Sequence, residues 1–232
     1  MWLKTPAHVV VWDSITFLVI AKMNYTDKLF ERYPELEVCR EAVQAAAAAM
    51  ITCYSRGGKI LVCGNGGSAA DALHIVGELM KSFVLPRTLV ESERAIIEKA
   101  CPDSEYLCRH LQRALPAIAL VNEVSLQTAY ANDVAADLVF AQQVYGYGRK
   151  EDILFCISTS GDSANVVYAA EIGRAKNMTV ISLTGEGGGR LKNVSDILIA
   201  VPEKETFLIQ ELHIPVYHSL CLRVEDYFFG EK

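Results

Sequence analysis

Two residues four apart, His74 and Glu78, follow the glycine-rich run Gly64-Asn65-Gly66-Gly67-Ser68. On a helix that spacing puts both side chains on one face. An imidazole and a carboxylate so placed can grip one ion or exchange protons with one bound substrate, and they can also be an ordinary surface pair. A second stretch, Gln210-Glu211-Leu212-His213-Ile214-Pro215-Val216-Tyr217-His218, sets Gln210 and His218 two helical turns apart, with His213 on another side. Each group taken alone also reads as a cap or a packed core residue.

Two loops offer an anion site. Ser158-Thr159-Ser160-Gly161-Asp162-Ser163 carries four hydroxyls in six residues, between a strand-like run and a helical one. An anion there meets hydroxyl donors, free backbone N–H groups and the positive end of a helix dipole. A helix cap needs one such residue, not four. The loop Gly64–Ser68 lacks Cβ bulk at three positions. It is not a P-loop, because no Gly-Lys-Ser/Thr follows, and its spacing fails the GxGxxG fingerprint. Ser68 followed by Asp71 reads as a capping box.

These residues need elements to position them. Short apolar runs at Lys59–Cys63, Ala117–Val121, Ile153–Ile157, Thr179–Leu183 and Asp196–Val201 alternate with helical stretches. Uninterrupted apolar strands separated by helices predict an α/β fold with about five parallel strands covered on both faces. Ligands in such folds sit beyond the carboxyl ends of the strands, where both loops lie. An alanine-rich helix is expected over Leu36–Tyr54, stopped by Gly57-Gly58. Residues 84–116 break the rhythm and are expected to be a helical insertion, with helices over Glu91–Ala100 and Ser104–Leu115 separated by Pro102. Asp13 interrupts the apolar N-terminal stretch, so residues 1–22 are expected to be a loosely attached arm or an over-long start, with the folded domain spanning 23–232.

Composition excludes other classes. The 232 residues are 51% hydrophobic and 22% charged, values of a globular chain. A formal charge of -6 and a pI near 5.4 argue against a nucleic-acid surface. Seven cysteines, an odd number with no CxxC pair, suit buried thiols in a reducing cytoplasm rather than a disulfide framework. No membrane association is expected.

Read in order, Gly64-Asn65-Gly66-Gly67-Ser68, Asp71-Ala72-Leu73-His74, Glu78-Leu79, Ala131-Asn132-Asp133, Ile157 to Val166, Leu183-Thr184-Gly185 and Gln210-Glu211-Leu212-His213 make the chain resemble the sugar isomerase (SIS) domain family. Within it, the chain resembles the sedoheptulose 7-phosphate (phosphoheptose) isomerases, over roughly residues 36–224. The resemblance implies a three-layer SIS-type fold and an aldose–ketose isomerase acting through an enediol(ate), in heptose and surface-glycan synthesis. It implies that Asn65, Gly66, Gly67, Asn132 and Asp133 contact the sugar phosphate, with Gln210 beside them. It implies that Ser158, Thr159, Ser160 and Ser163 hold the phosphate. His74, Glu78, Gln210 and His218 match the positions of zinc ligands, and Glu78 and His218 those of the general base and acid. A cytoplasmic homotetramer is implied as well. Two departures bear on this reading. Asp162, where Asn is common, would oppose a phosphate unless it turns away as a cap, and Pro215 falls inside the last helix. The insertion leaves open an isomerase of another ketose phosphate. A non-catalytic SIS protein that senses sugar phosphates or acts as a scaffold is the alternative of a different class.

Overall fold

The computed structural model describes residues 25–230; the expected arm, residues 1–22, lies outside them. Five strands, β1 (Ile60–Gly64), β2 (Ala117–Ala119), β3 (Ile153–Ile157), β4 (Thr179–Thr184) and β5 (Ile197–Ala200), form one sheet in the order β2-β1-β3-β4-β5. All pairings are parallel; Val62 lies beside Ala119 on one side and Phe155 on the other. The helices are α1 (Tyr25–Arg32), α2 (Arg40–Ser55), α3 (Gly67–Met80), α4 (Glu91–Ala100), α5 (Ser104–His110), α6 (Val124–Tyr130), α7 (Val139–Tyr147), α8 (Ala164–Ala175) and α9 (Thr206–Phe229).

The strands are buried on both faces, so each apolar run feeds two cores by simple alternation. Ile60, Val62, Phe155, Ile157, Ile181 and Leu183 face α1, α2, α3 and α9, where they meet Leu29, Val43, Met50, Ile75, Leu79 and Leu220. Leu61, Cys63, Leu154, Cys156 and Val180 face the opposite layer, where Val144 of α7 and Val166 and Ala170 of α8 close over them. In α2 the buried residues Val43, Ala46, Ala47 and Met50 recur at helical spacing and form the stripe that meets the sheet.

Two expected helices have different bounds. The chain before α2 is a 3-10 turn, Pro34–Cys39, so the α-helix starts at Arg40 rather than Leu36. Within residues 84–116, α4 has the expected bounds, but α5 stops at His110. The residues expected to continue it run back extended beside Arg87 and Thr88. Thr88 and Gln112 form an antiparallel bridge, and the Arg113 and Leu115 N–H groups donate to the Arg87 and Leu79 carbonyls at 2.8 and 3.0 Å. Tertiary pairing satisfies the backbone groups that a longer helix would have satisfied internally.

A buried ion pair anchors the start of this segment. Arg87 and Glu225 are both essentially inaccessible. Arg87 Nε donates to Glu225 at 2.8 Å, while its Nη atoms donate to the Leu79 and Glu78 carbonyls at 2.6 and 3.0 Å. The guanidinium thereby satisfies carbonyls that the end of α3 leaves open. Glu225 also accepts the N–H groups of Phe83, Val84 and Leu85. Burial pushes its carboxyl upward, but those three N–H groups and Arg87 outweigh it and leave it below the ordinary value.

Candidate active site

The strand order makes the crevice between β1 and β3 a topological switch point, where chain connections leave to opposite sides. Gly64 and Ile157, in register at the carboxyl ends of those strands, lead into the two loops singled out in the sequence. The loops are tied together: Asn65 and Asn165 exchange a reciprocal pair of amide hydrogen bonds, each 2.9 Å. Gly66 has φ 55°, a left-handed conformation that favours glycine. Asn65, Gly66 and Gly67 are exposed.

The hydroxyl loop is braced from within. Ser158 Oγ lies 3.2 Å from Ser163 Oγ and accepts the Gly161 N–H at 3.2 Å. Ser160 Oγ accepts the Asp162 N–H at 3.1 Å. Thr159 is half-buried, and its carbonyl accepts the Gly185 N–H. Gly161, at φ 71°, packs so closely on the Gly188 carbonyl that a Cβ would not fit. Ser158 is buried, whereas Thr159, Ser160 and Ser163 keep access to solvent at the start of α8. Asp162 does turn away: its carboxylate caps the Arg190 N–H at 2.9 Å. Its charge is thus spent on the next turn rather than aimed into the loop.

Helices α3 and α9 run side by side in the same direction. The amide of Gln210 lies against Gly67 in the first turn of α3, and His218 lies against His74 about two turns further along. His74 Nε2 is 3.3 Å from Glu78 Oε1 and 3.5 Å from His218 Nε2, so three of the four residues expected to share an ion meet on this seam. Glu78 Oε2 accepts from Lys81 at 3.0 Å. The Phe83 ring packs on His218 with centroids 5.4 Å apart. His218 is held below the ordinary histidine value, first by burial and next by His74, with Glu78 opposing both.

The remaining expected residues are placed differently. Among the described residues, no hydrogen bond joins Gln210 to His74, Glu78 or His218. Asn132 and Asp133 sit on the exposed π-helical turn Ala131–Ala135 and bond to each other at 2.8 Å. Helix α9 is continuous through Pro215, which forgoes one backbone bond. The capping box expected from Ser68 and Asp71 is absent: α3 is entered through Gly66 with no side-chain cap. Asp71 instead accepts a hydrogen bond from Tyr217 at 3.3 Å, and the same phenol lies 3.0 Å from His74 Nδ1. Sequence reasoning gave Tyr217 no role beside the site and read Asp71 only as a cap. The i, i+3 spacing of Asp71 and His74 was the one available signal.

Among the described residues, no group of three or more His, Cys, Asp or Glu side chains is arranged to hold a metal ion as it stands, and no helix is long and apolar enough to cross a membrane. The donor types nonetheless suit a borderline cation: two imidazole nitrogens and a carboxylate oxygen, with an amide further along α9.

A family model described as SIS domain matches residues 24–114 and 94–185. A phosphoheptose isomerase of Rhodospirillum rubrum is 41% identical over 188 residues, which are 81% of this chain and 87% of that protein. The structure of a phosphoheptose isomerase from Francisella tularensis matches with a TM-score of 0.70 at 33% identity, covering 91% of this chain and all of that one. The phosphoheptose isomerase of Neisseria gonorrhoeae matches with a TM-score of 0.67 at 34% identity, over 90% of this chain and 97% of that one. With its β1–β3 crevice, its hydroxyl loop and its α3–α9 seam, the chain belongs to the SIS domain family, on the branch of the phosphoheptose isomerases.

Proposed function

We propose that the chain is an aldose–ketose isomerase that interconverts sedoheptulose 7-phosphate and D-glycero-D-manno-heptose 7-phosphate, in heptose supply for surface glycans. The observation that carries this reading is the meeting of Glu78, His74 and His218 on one seam, with the hydroxyl loop at the carboxyl end of the sheet. An isomerase must take a proton from C1 of the ketose and return one to C2. In this reading Glu78 removes the C1 proton, leaving an enediolate with its charge on O2. His218 supplies a proton to O2 and later takes one from O1. Glu78 then returns its proton at C2, so both groups end as they began. Ser158, Thr159, Ser160 and Ser163 hold the phosphate through hydroxyls and the N-terminus of α8. Asn65, Gly66, Gly67, Asn132 and Asp133 line the sugar, and Gln210 reaches it from α9.

His74, Glu78, Gln210 and His218 would hold a zinc ion, which as a Lewis acid would stabilise charge on the sugar oxygens. A cytoplasmic homotetramer completes the reading. Phe83, the residue that leads into the insertion at 84–116, packs on His218 and favours one refinement: the insertion shapes which ketose phosphate fits. The deciding experiment is turnover of a panel of ketose phosphates by purified protein, with and without chelator. Preferred turnover of sedoheptulose 7-phosphate that is lost with chelator is the expected result. Preference for another ketose phosphate changes the substrate. Phosphate-ester binding without turnover of any member would make this a binding protein.

A further inference from the structure

We propose that Tyr217 and Asp71 decide which ring nitrogen of His74 carries the proton, leaving Nε2 as the free lone pair on the α3–α9 seam. Tyr217 precedes His218 on α9, and its side chain is almost fully buried between the two helices. Asp71 lies one turn before His74 on α3 and is nearly buried as well. The phenol oxygen sits between them, 3.3 Å from Asp71 Oδ1 and 3.0 Å from His74 Nδ1.

A phenol has one proton to give, and an ionised carboxylate can only accept. Asp71 Oδ2 has no hydrogen-bond partner, so the phenol is the donor that its carboxylate meets. Were the phenol to donate to His74 instead, a nearly buried carboxylate would face an oxygen lone pair with nothing between them, a costly arrangement. The phenol proton therefore goes to Asp71. The phenol oxygen then presents a lone pair to His74, so Nδ1 must be the N–H nitrogen. In the neutral ring Nε2 is then left without a proton, 3.3 Å from Glu78 Oε1 and 3.5 Å from His218 Nε2, so two lone pairs face each other at a place where a cation would relieve them. A histidine whose other nitrogen is tied to an oxygen in this way has its tautomer and ring orientation set before anything binds. Tyr217 and Asp71 are positioning residues in this scheme. The tautomer stands by itself; its consequence for metal rests on the zinc reading above.

The test uses full-length, metal-free protein with 15N-labelled histidine, read by long-range proton–nitrogen correlation at about pH 8, above the reference histidine range. A His74→Gln variant identifies the His74 signals. Wild-type protein should show His74 with Nδ1 protonated. Tyr217→Phe, which keeps the ring and removes only the hydroxyl, should move His74 toward the Nε2–H form. Zinc affinity, measured against a fluorescent indicator, should fall about 10–100-fold, the usual loss when a ligand's supporting partner is removed. His74 in the Nε2–H form in wild type would overturn the proposal, however well Tyr217→Phe folds. So would an unchanged Nδ1–H signal in Tyr217→Phe. The expected tautomer shift with no zinc bound by either protein would uphold the proposal and refute the zinc reading.

Discussion

Lowering the pH should destabilise this protein through His213, a residue outside the proposed chemistry. His213 lies on α9, is completely buried, and neither ring nitrogen has a hydrogen-bond partner. Burial pushes it down to about 4 from 6.5, with only the Thr184 backbone acting in the other direction. The sign follows from linkage. Between pH 6.5 and pH 4 the unfolded chain holds a proton on this ring and the folded chain does not. The stability that neutral His213 contributes is therefore complete above about pH 6.5 and is lost as the pH falls toward 4. The full effect is about 3 kcal/mol, of which roughly 2 kcal/mol is felt at pH 5. His213→Leu supplies the control. It is similar in volume and cannot titrate, and the Thr184 carbonyl beside the ring keeps its hydrogen bond from the Val201 N–H, so the change strands no partner. Urea unfolding of both proteins at pH 7.5 and pH 5.0, at matched protein concentration, isolates the difference. Wild type should lose roughly 2 kcal/mol more than the variant over that interval. Equal losses, within about 0.5 kcal/mol, would refute the assignment of a neutral buried ring.

Three further outcomes test the site and its supports. Glu78→Gln should retain the fold and phosphate-ester binding while isomerisation falls by at least about 100-fold, read from steady-state kcat. Ser160→Ala combined with Ser163→Ala should raise KM at least about tenfold with a smaller change in kcat, because phosphate contacts stabilise ground and transition states alike; an unchanged KM would make these hydroxyls purely internal braces of the loop. Glu225→Gln should cost about 3–5 kcal/mol in chemical denaturation, since it leaves the Arg87 charge buried without its partner.

The fold was legible because its strands are central and parallel. Strands buried on both faces read as unbroken apolar runs, so Ile60–Cys63, Ile153–Ile157 and Thr179–Leu183 were recognisable without any partner in view. The phosphate-type loops were legible for a related reason: they follow those strands at once, and glycine and hydroxyl residues cluster there. His74 and Glu78 could be paired from spacing alone, because the helical repeat is local. What spans the chain was not available in that way. His218 meets His74 across 144 positions, and only the packing of α9 beside α3 brings the two rings together. The same packing turns Asp71 from an expected cap into the partner of Tyr217, and sets the Gln210 amide against Gly67. The end of α5 at His110 and the burial of Arg87 on Glu225 were likewise decided by distant backbone, through groups that local propensity does not describe. The sequence alone determined which elements form and which reactive residue types they carry. The tertiary structure decided which side chains meet, because a buried donor or acceptor takes its partner from whatever the fold packs against it, not from its neighbours in the chain.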